Sequence, residues 1–179
     1  QGRITLTSAV PVTTDVTGAL TVYYTPYQGN HVPIYDGSTF TPTVFTELSQ
    51  ATTDASKSPA AVAASKIYDL FVWSDSGTLR CTRGPAWTND TTRGYTLTMT
   101  NGILLNTSAI TNGPGASRGT YVGTIGSDAS SQINDANAFR HVWNMYNRAA
   151  RLMLVIDSAN QWNYSVLNTY KQAGNGNTA

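Results

Sequence analysis

Charge is scarce in this chain: Asp, Glu, Lys and Arg make up 12% of its 179 residues, about half the share usual in a globular protein. Solubility must rest on uncharged polar groups, and 27 Thr, 15 Ser and 14 Asn supply them. A surface of that kind relies little on charge repulsion and favours extensive subunit contact. The net charge is +1, and the eleven basic residues are scattered from Arg3 to Lys171. No run of them would follow a phosphate backbone, so no nucleic-acid partner is expected. Long apolar runs are missing as well: nothing approaches the roughly 18 residues a membrane span needs, and no secretion-signal pattern is present. Membrane insertion is therefore not expected. The single cysteine, Cys81, leaves no intrachain disulfide to form. It reads as a buried thiol packing as a small apolar residue, and assembly in a reducing cytoplasm fits.

Groups that carry chemistry are also few. His31 and His141 have no Cys, Asp or Glu near them at metal-ligand spacing, so neither metal nor cofactor is expected. Phosphate-cradling and dinucleotide-binding fingerprints do not occur. Glycoside cleavage would need two carboxyl groups about 5–10 Å apart, and the candidates are Asp36, Asp69, Asp75, Asp90, Asp128, Asp157 and the sole glutamate, Glu47. Of these, Asp36, Asp75 and Asp128 sit beside Gly or Ser in turns, where Asp commonly accepts from backbone N–H groups. No catalytic residue is assigned, and the chain reads as a non-enzyme. Asn89-Asp90-Thr91, Asn106-Thr107-Ser108 and Asn163-Tyr164-Ser165 match the glycosylation sequon, which is read as incidental without a secretion signal.

What is present is the period-two pattern of half-buried strands. It predicts strands at 3–8, 20–25, 31–35, 39–47, 66–75, 78–83, 95–100, 103–105 and 120–126, with buried strands at 152–156 and 162–170. Residues 66–75 read as a central strand because Ile67, Leu70, Phe71, Val72 and Trp73 make them strongly apolar. Thr17-Gly18, Gln28-Gly29-Asn30, Asp36-Gly37 and Ser76-Gly77 supply turn chemistry, and 112–119, NGPGASRG, is a long turn. Residues 50–65 are expected to form an exposed loop with at most one helical turn from Ser58-Pro59. One segment departs from the pattern. Over 135–148 the helical spacing of Phe139, Val142, Trp143 and Tyr146, with Asp135 as a cap, predicts an amphipathic helix. The alternation of Phe139, His141, Trp143 and Met145 competes with it and would serve a strand. The expected fold is all-β, an antiparallel β-sandwich or jelly-roll-like domain with at most one short helix near 136–148; a barrel is second. One β-rich domain over 1–171 is followed by a linker-like tail, 172–179, leading to a further portion. The start at Gln1 also suggests a processed or partial product.

Aromatic residues concentrate in YYTPYQGNHVPIYDG, which packs four tyrosines, two prolines and two glycines between Tyr23 and Gly37. Tyrosine offers ring area and a hydrogen-bonding tip, which suits an interface. Trp73 and Trp143, set among apolar residues, are read as core. Tyr23, Tyr24, Tyr27 and Trp87 are the candidate platform for stacking on sugar rings or a partner. In 87–93, Asn89 and Asp90 form an Asx-type turn and leave Arg93 to pair with a carboxylate. Arg148 and Arg151 are the candidate ionic contacts to a neighbouring subunit.

Three segments resemble, in this order, a family of tailed-bacteriophage virion structural proteins: Tyr23-Tyr24-Thr25-Pro26-Tyr27 with Gly29-Asn30 and Tyr35-Asp36-Gly37; Ala86-Trp87-Thr88-Asn89-Asp90-Thr91-Thr92-Arg93; and Trp143-Asn144-Met145-Tyr146-Asn147-Arg148. Gly2-Arg3-Ile4-Thr5-Leu6-Thr7, Tyr121-Val122-Gly123-Thr124 and Trp162-Asn163-Tyr164 agree, so the resemblance spans nearly the whole chain. It departs at 50–65, longer here than the turn expected, and at the end, where relatives continue into another β-rich portion. The resemblance implies a multi-copy virion component on capsid, neck or tail, as a decoration or fiber, assembled in the host cytoplasm. Its partners would be its own copies, with a trimer favoured, and other virion proteins. It carries over no catalytic residue. The alternative is a carbohydrate-binding module for host-surface glycan.

Overall fold

A computed structural model of the protein describes residues 1–153. The strands expected at 152–156 and 162–170 and the tail at 172–179 lie outside the described residues, apart from Leu152 and Met153. Fourteen strands and no helix make up the described part. They are β1 (Gly2–Thr5), β2 (Val16–Ala19), β3 (Thr21–Pro26), β4 (His31–Tyr35), β5 (Phe40–Val44), β6 (Leu48–Ala51) and β7 (Ile67–Asp75), then β8 (Thr78–Ala86), β9 (Leu97–Thr100), β10 (Ile103–Asn106), β11 (Thr120–Gly126), β12 (Ile133–Ala136), β13 (Phe139–Arg140) and β14 (Val142–Asn144). The expected all-β, sandwich-like architecture is what the chain adopts.

The large sheet has the order β8-β7-β11-β10-β9, with β14 added to β11. Smaller sheets are β1-β3-β6 and β13-β12-β2, and β4-β5 is a hairpin. Two tight hairpins in the large sheet have a local cause. Ser76 and Gly77 take φ of 50° and 91°, and Asn101 and Gly102 take 48° and 83°, the paired positive values of a two-residue type I′ turn that matches strand twist. Successive residues of β7 alternate between two cores. Tyr68, Leu70 and Val72 pack with Ile4, Val22, Tyr24, Phe45, Val122 and Ile125, while Phe71 packs with Ile110 and Tyr121 on the other face. Both faces are covered, which is why Tyr68–Val72 is buried without interruption and reads in sequence as one apolar run.

The outer edge of β11 is shared. Its start pairs with β10 through Leu105↔Thr120, and its end pairs with β14 through Gly123↔Asn144, Thr124↔Trp143 and Ile125↔Val142. Close approach at Gly123 demands a glycine, since a Cβ there would lie 2.2 Å from the Trp143 carbonyl oxygen. Asn144 then extends the pairing sideways: its Oδ1 accepts from Ile4 N at 2.5 Å and its Nδ2 donates to Ile4 O at 3.2 Å. One side-chain amide thus does for the edge of β1 what a neighbouring strand would do.

These contacts correct two expectations. The helix predicted over 135–148 is instead β12, β13 and β14, because the free edge of β11 offers backbone partners that a lone amphipathic helix would forgo. The strand alternation won over the helical spacing, and Asp135 pairs with Arg140 and Arg151 instead of capping a helix. The second correction concerns 50–65. This stretch is folded onto β8, with Ser58 and Val62 buried and Ser58 Oγ accepting from Arg83 N at 3.0 Å.

Candidate functional site

Three strands place one polar row on the second face of the large sheet. Thr124 is in register with Asp69 of β7 on one side and Trp143 of β14 on the other, so the three side chains share a face. Bulges sharpen the aim. The pairing shifts between Tyr121 and Gly123 on β11 and between Tyr68 and Leu70 on β7. The first brings the Tyr121 hydroxyl within 2.7 Å of Thr124 Oγ1; Thr124 Oγ1 in turn donates to Asp69 Oδ1 at 2.7 Å.

Above this row stands the turn after β8. Asn89 Oδ1 accepts from Thr91 N at 3.0 Å, and Thr88 N donates to Thr92 O at 2.9 Å. The resulting reversal carries Arg93 back over the sheet. Its Nη1 donates to Asp69 Oδ1 at 2.5 Å, and its guanidinium lies 4.7 Å from the Trp87 ring centre and 5.2 Å from that of Tyr121. Cation–π stacking on two rings and an ion pair fix the fork in one plane. Burial pushes the Asp69 carboxyl above its usual range, against the pull of Arg93 and Thr124. For Arg93, burial works to lower the pKa, but the Asp69 bond outweighs it and the net shift is upward. The pair is electrically neutral. Beside it opens a hollow of about 330 Å³ lined by Ile67, Trp87, Asp90, Arg93, Tyr121, Thr124 and Trp143.

Part of this site is legible in the sequence. Trp87 and Arg93 come together as candidates, and Arg93 does pair with a carboxylate. The tyrosines do not join them. Tyr24 is a correction: it is 1% exposed, stacks on Phe45 with centroids 5.0 Å apart, and accepts from Gly2 N through its hydroxyl. Burial pushes that hydroxyl up to about 12, so it is core and not platform. Tyr23 is half-buried on the opposite side of β3, and Tyr27 lies under the Arg3 guanidinium at 5.7 Å. Trp143 is the reverse correction. Read as core, it is 46% exposed, because β14 turns it outward with His141 and Phe139 in a row of rings 6.3 and 6.1 Å apart. Trp73, also read as core, is only half-buried and belongs to neither core cluster; its indole donates to Thr82 Oγ1 at 2.8 Å.

Four of the eleven basic residues do converge in space, contrary to the scattered reading: Arg3, Arg140, Arg148 and Arg151 line a hollow of about 460 Å³ around Asp135. Three of them are engaged internally. Arg151 donates to the carbonyls of Thr13 and Thr14 and to Asp135. Arg140 serves Asp135 and Leu152 O, and Arg3 serves Pro11 O and Asn147 O. Arg148 is exposed and bonded through Nε to Asn144 O.

Asp36 and Asp128 behave as turn residues, whereas Asp75, read with them as a turn residue, ends β7 and pairs with Arg80 at 2.6 Å. Asp36 accepts from Ser38 N and Thr39 N, and Asp128 from Ser130 N and Gln132 N. Glu47 gathers Ser8, Ala9 and Thr25. Among the described residues no group of His, Cys, Asp or Glu has a metal-binding arrangement. Against the expectation that no hydrolase elbow G-x-S-x-G occurs, the long turn contains its spacing, Gly115-Ala116-Ser117-Arg118-Gly119. Ser117 has the elbow's positive φ, 57°, but it precedes β11 instead of linking a strand to a helix. The context the motif requires is not met. Asp69 carried the missed signal: a carboxylate inside Ile67-Tyr68-Asp69-Leu70-Phe71 is a buried charge in need of a partner. What the site offers is a flat apolar wall and a fixed planar donor. Compared with known proteins, the chain matches no family model, no curated protein and no solved structure.

Proposed function

We propose that the chain is a non-enzymatic structural component of a tailed-bacteriophage virion, present in several copies, with a trimer favoured, and attached to or projecting from capsid, neck or tail. The ordered resemblance of its segments supports this, and one structural observation carries the self-association. Among the described residues strand β9 ends the large sheet; it reads Leu97-Thr98-Met99-Thr100, with Met99 65% exposed. Proteins usually blunt such edges with short strands, charge, proline or a bulge. β9 is short but carries no charge, proline or bulge, and its partner on the open side is a second copy. Four residues supply few hydrogen bonds, so each contact is weak, and symmetric repetition makes the assembly firm.

Gel filtration and mass photometry of the purified protein test the reading. The expected result is a discrete oligomer that Met99→Lys converts to monomer by placing a charge on the edge. A strict monomer that also fails to attach to particles lacking it overturns the proposal.

A further inference from the structure

We propose that the hollow between Trp87, Arg93 and Trp143 is a subsite for a neutral hexopyranose of a glycan chain, and that the chain runs from it along Trp143, His141 and Phe139. A sugar ring has an apolar face of C–H groups and a rim of hydroxyls, and the site has the complement of both. Trp143 gives the flat wall, 46% exposed. Arg93 gives the rim donor, held by Asp69 and stacked on Trp87 and Tyr121. Because these donors are positioned before the ligand arrives, little ordering cost is left for binding. A volume of about 330 Å³ lies at the small end of ligand pockets and accepts a sugar ring, not a large cofactor.

Charge selects the neutral sugar. The Asp69–Arg93 pair cancels, and Asp90 at the mouth opposes a carboxylate or sulfate on the ligand. The buried indole N–H of Trp87 acts on the Asp69 carboxylate and favours its charged form, so with Arg93 and Thr124 it holds the carboxylate that fixes the guanidinium. Direction follows from the row of rings: Phe139, 57% exposed, lies beyond His141 from Trp143, with neighbouring rings tilted by 57° and 36°. The spacings of 6.1 and 6.3 Å between the rings are comparable with the length of one hexose unit. None of these residues belongs to β9, so the inference stands whether or not copies assemble.

The test is a microarray of neutral, sialylated and sulfated glycans, followed by titration of the best neutral mono-, di- and trisaccharide against intrinsic tryptophan fluorescence. Affinity is expected to rise with chain length. Trp143→Ala should weaken the trisaccharide at least tenfold, Trp143→Phe should recover much of the loss, and Phe139→Ala should remove the gain from the third unit. Tyr27→Ala, away from the hollow, should change nothing, and circular dichroism should show each variant folded. An array with no neutral hit, binding confined to anionic glycans, or affinity that survives Trp143→Ala overturns the inference. Met99→Lys should leave monosaccharide affinity unchanged, which separates failure here from failure of the assembly reading.

Discussion

Replacing Arg83 with methionine should cost about 3 kcal/mol and loosen one segment before the rest. Arg83 is 1% exposed, and burial pulls its pKa down, yet it forms no ion pair among the described residues. Its guanidinium donates instead to the carbonyls of Ala51 at 2.6 Å, Thr52 at 3.3 Å, Asp54 at 2.7 Å and Ala60 at 3.2 Å. Ala51 O and Thr52 O have second donors, Asp54 N and Val62 N. Asp54 O and Ala60 O have no other donor among the described residues, so two acceptors are orphaned at about 1–3 kcal/mol each. Removing a buried cation offsets part of that. The net figure corresponds to a fall in Tm of about 6–12 °C for a domain of this size. Urea melts should show a lower midpoint with m unchanged. Trypsin should reach Lys57, whose backbone N donates to Asp54 Oδ1, at urea concentrations where the wild type resists. Arg83→Lys should fall between the two, since one ammonium cannot span four carbonyls. A methionine variant as stable as the wild type, with Lys57 still protected, would refute the view that this arginine organises the segment.

Gly123→Ala should be severe, at least about 3 kcal/mol, because its Cβ would meet Trp143 O at 2.2 Å and Ile4 Cδ1 at 2.6 Å; hydrogen exchange at Met145 N, bonded to Val122 O, should lose protection, and unchanged protection would contradict the crowding. Glu47 gives a pH signature. Burial works to raise its pKa, but bonds from Ser8, Thr25 and Ala9 N outweigh it and hold the value below the ordinary 4.5. A depressed carboxylate stabilises above its unfolded pKa, and that contribution is lost as pH falls through the lower folded value. Glu47→Gln should thus be less stable than the wild type by about 1 kcal/mol at neutral pH, with the gap closing in acid; a gap constant with pH would count against it. Cys81, 2% exposed and pushed up to about 12 by burial, should ignore a thiol reagent in the native state and react fully in denaturant.

Where information was local, the fold was legible. The strands 31–35 and 120–126 coincide with β4 and β11, and Ser76-Gly77 announced its hairpin, because strand period and turn chemistry are written in adjacent residues. β2 and β6 were missed. Val16–Ala19 and Leu48–Ala51 are four residues each with little apolar alternation, and they are strands because β12 and β3 pair with them. β14 failed for the same reason, with a helical spacing that competed until the edge of β11 decided. The candidate site divides likewise. Arg93 was legible as a residue seeking a carboxylate because its turn lies next to it in the chain. Which carboxylate, and which ring would stand opposite, depended on the register of β7, β11 and β14. That register brings Asp69, Thr124 and Trp143 together from three separate segments.

Scarcity of charge links the two proposed roles. A hollow with one aromatic wall and one guanidinium gives weak affinity for a single sugar, since stacking and a few hydrogen bonds must also offset desolvation of the hydroxyls. Weakness of that kind is useful only when copies act together. β9 and the hollow share no residue, and linked copies gain about 10²–10⁴ in avidity when their geometry leaves the hollows open to simultaneous contact. Binding of oligomer to a densely glycosylated surface should therefore greatly exceed that of the Met99→Lys monomer, while both bind a free trisaccharide equally. Equal binding of the two to the dense surface would separate edge from hollow and leave copy number without a part in recognition.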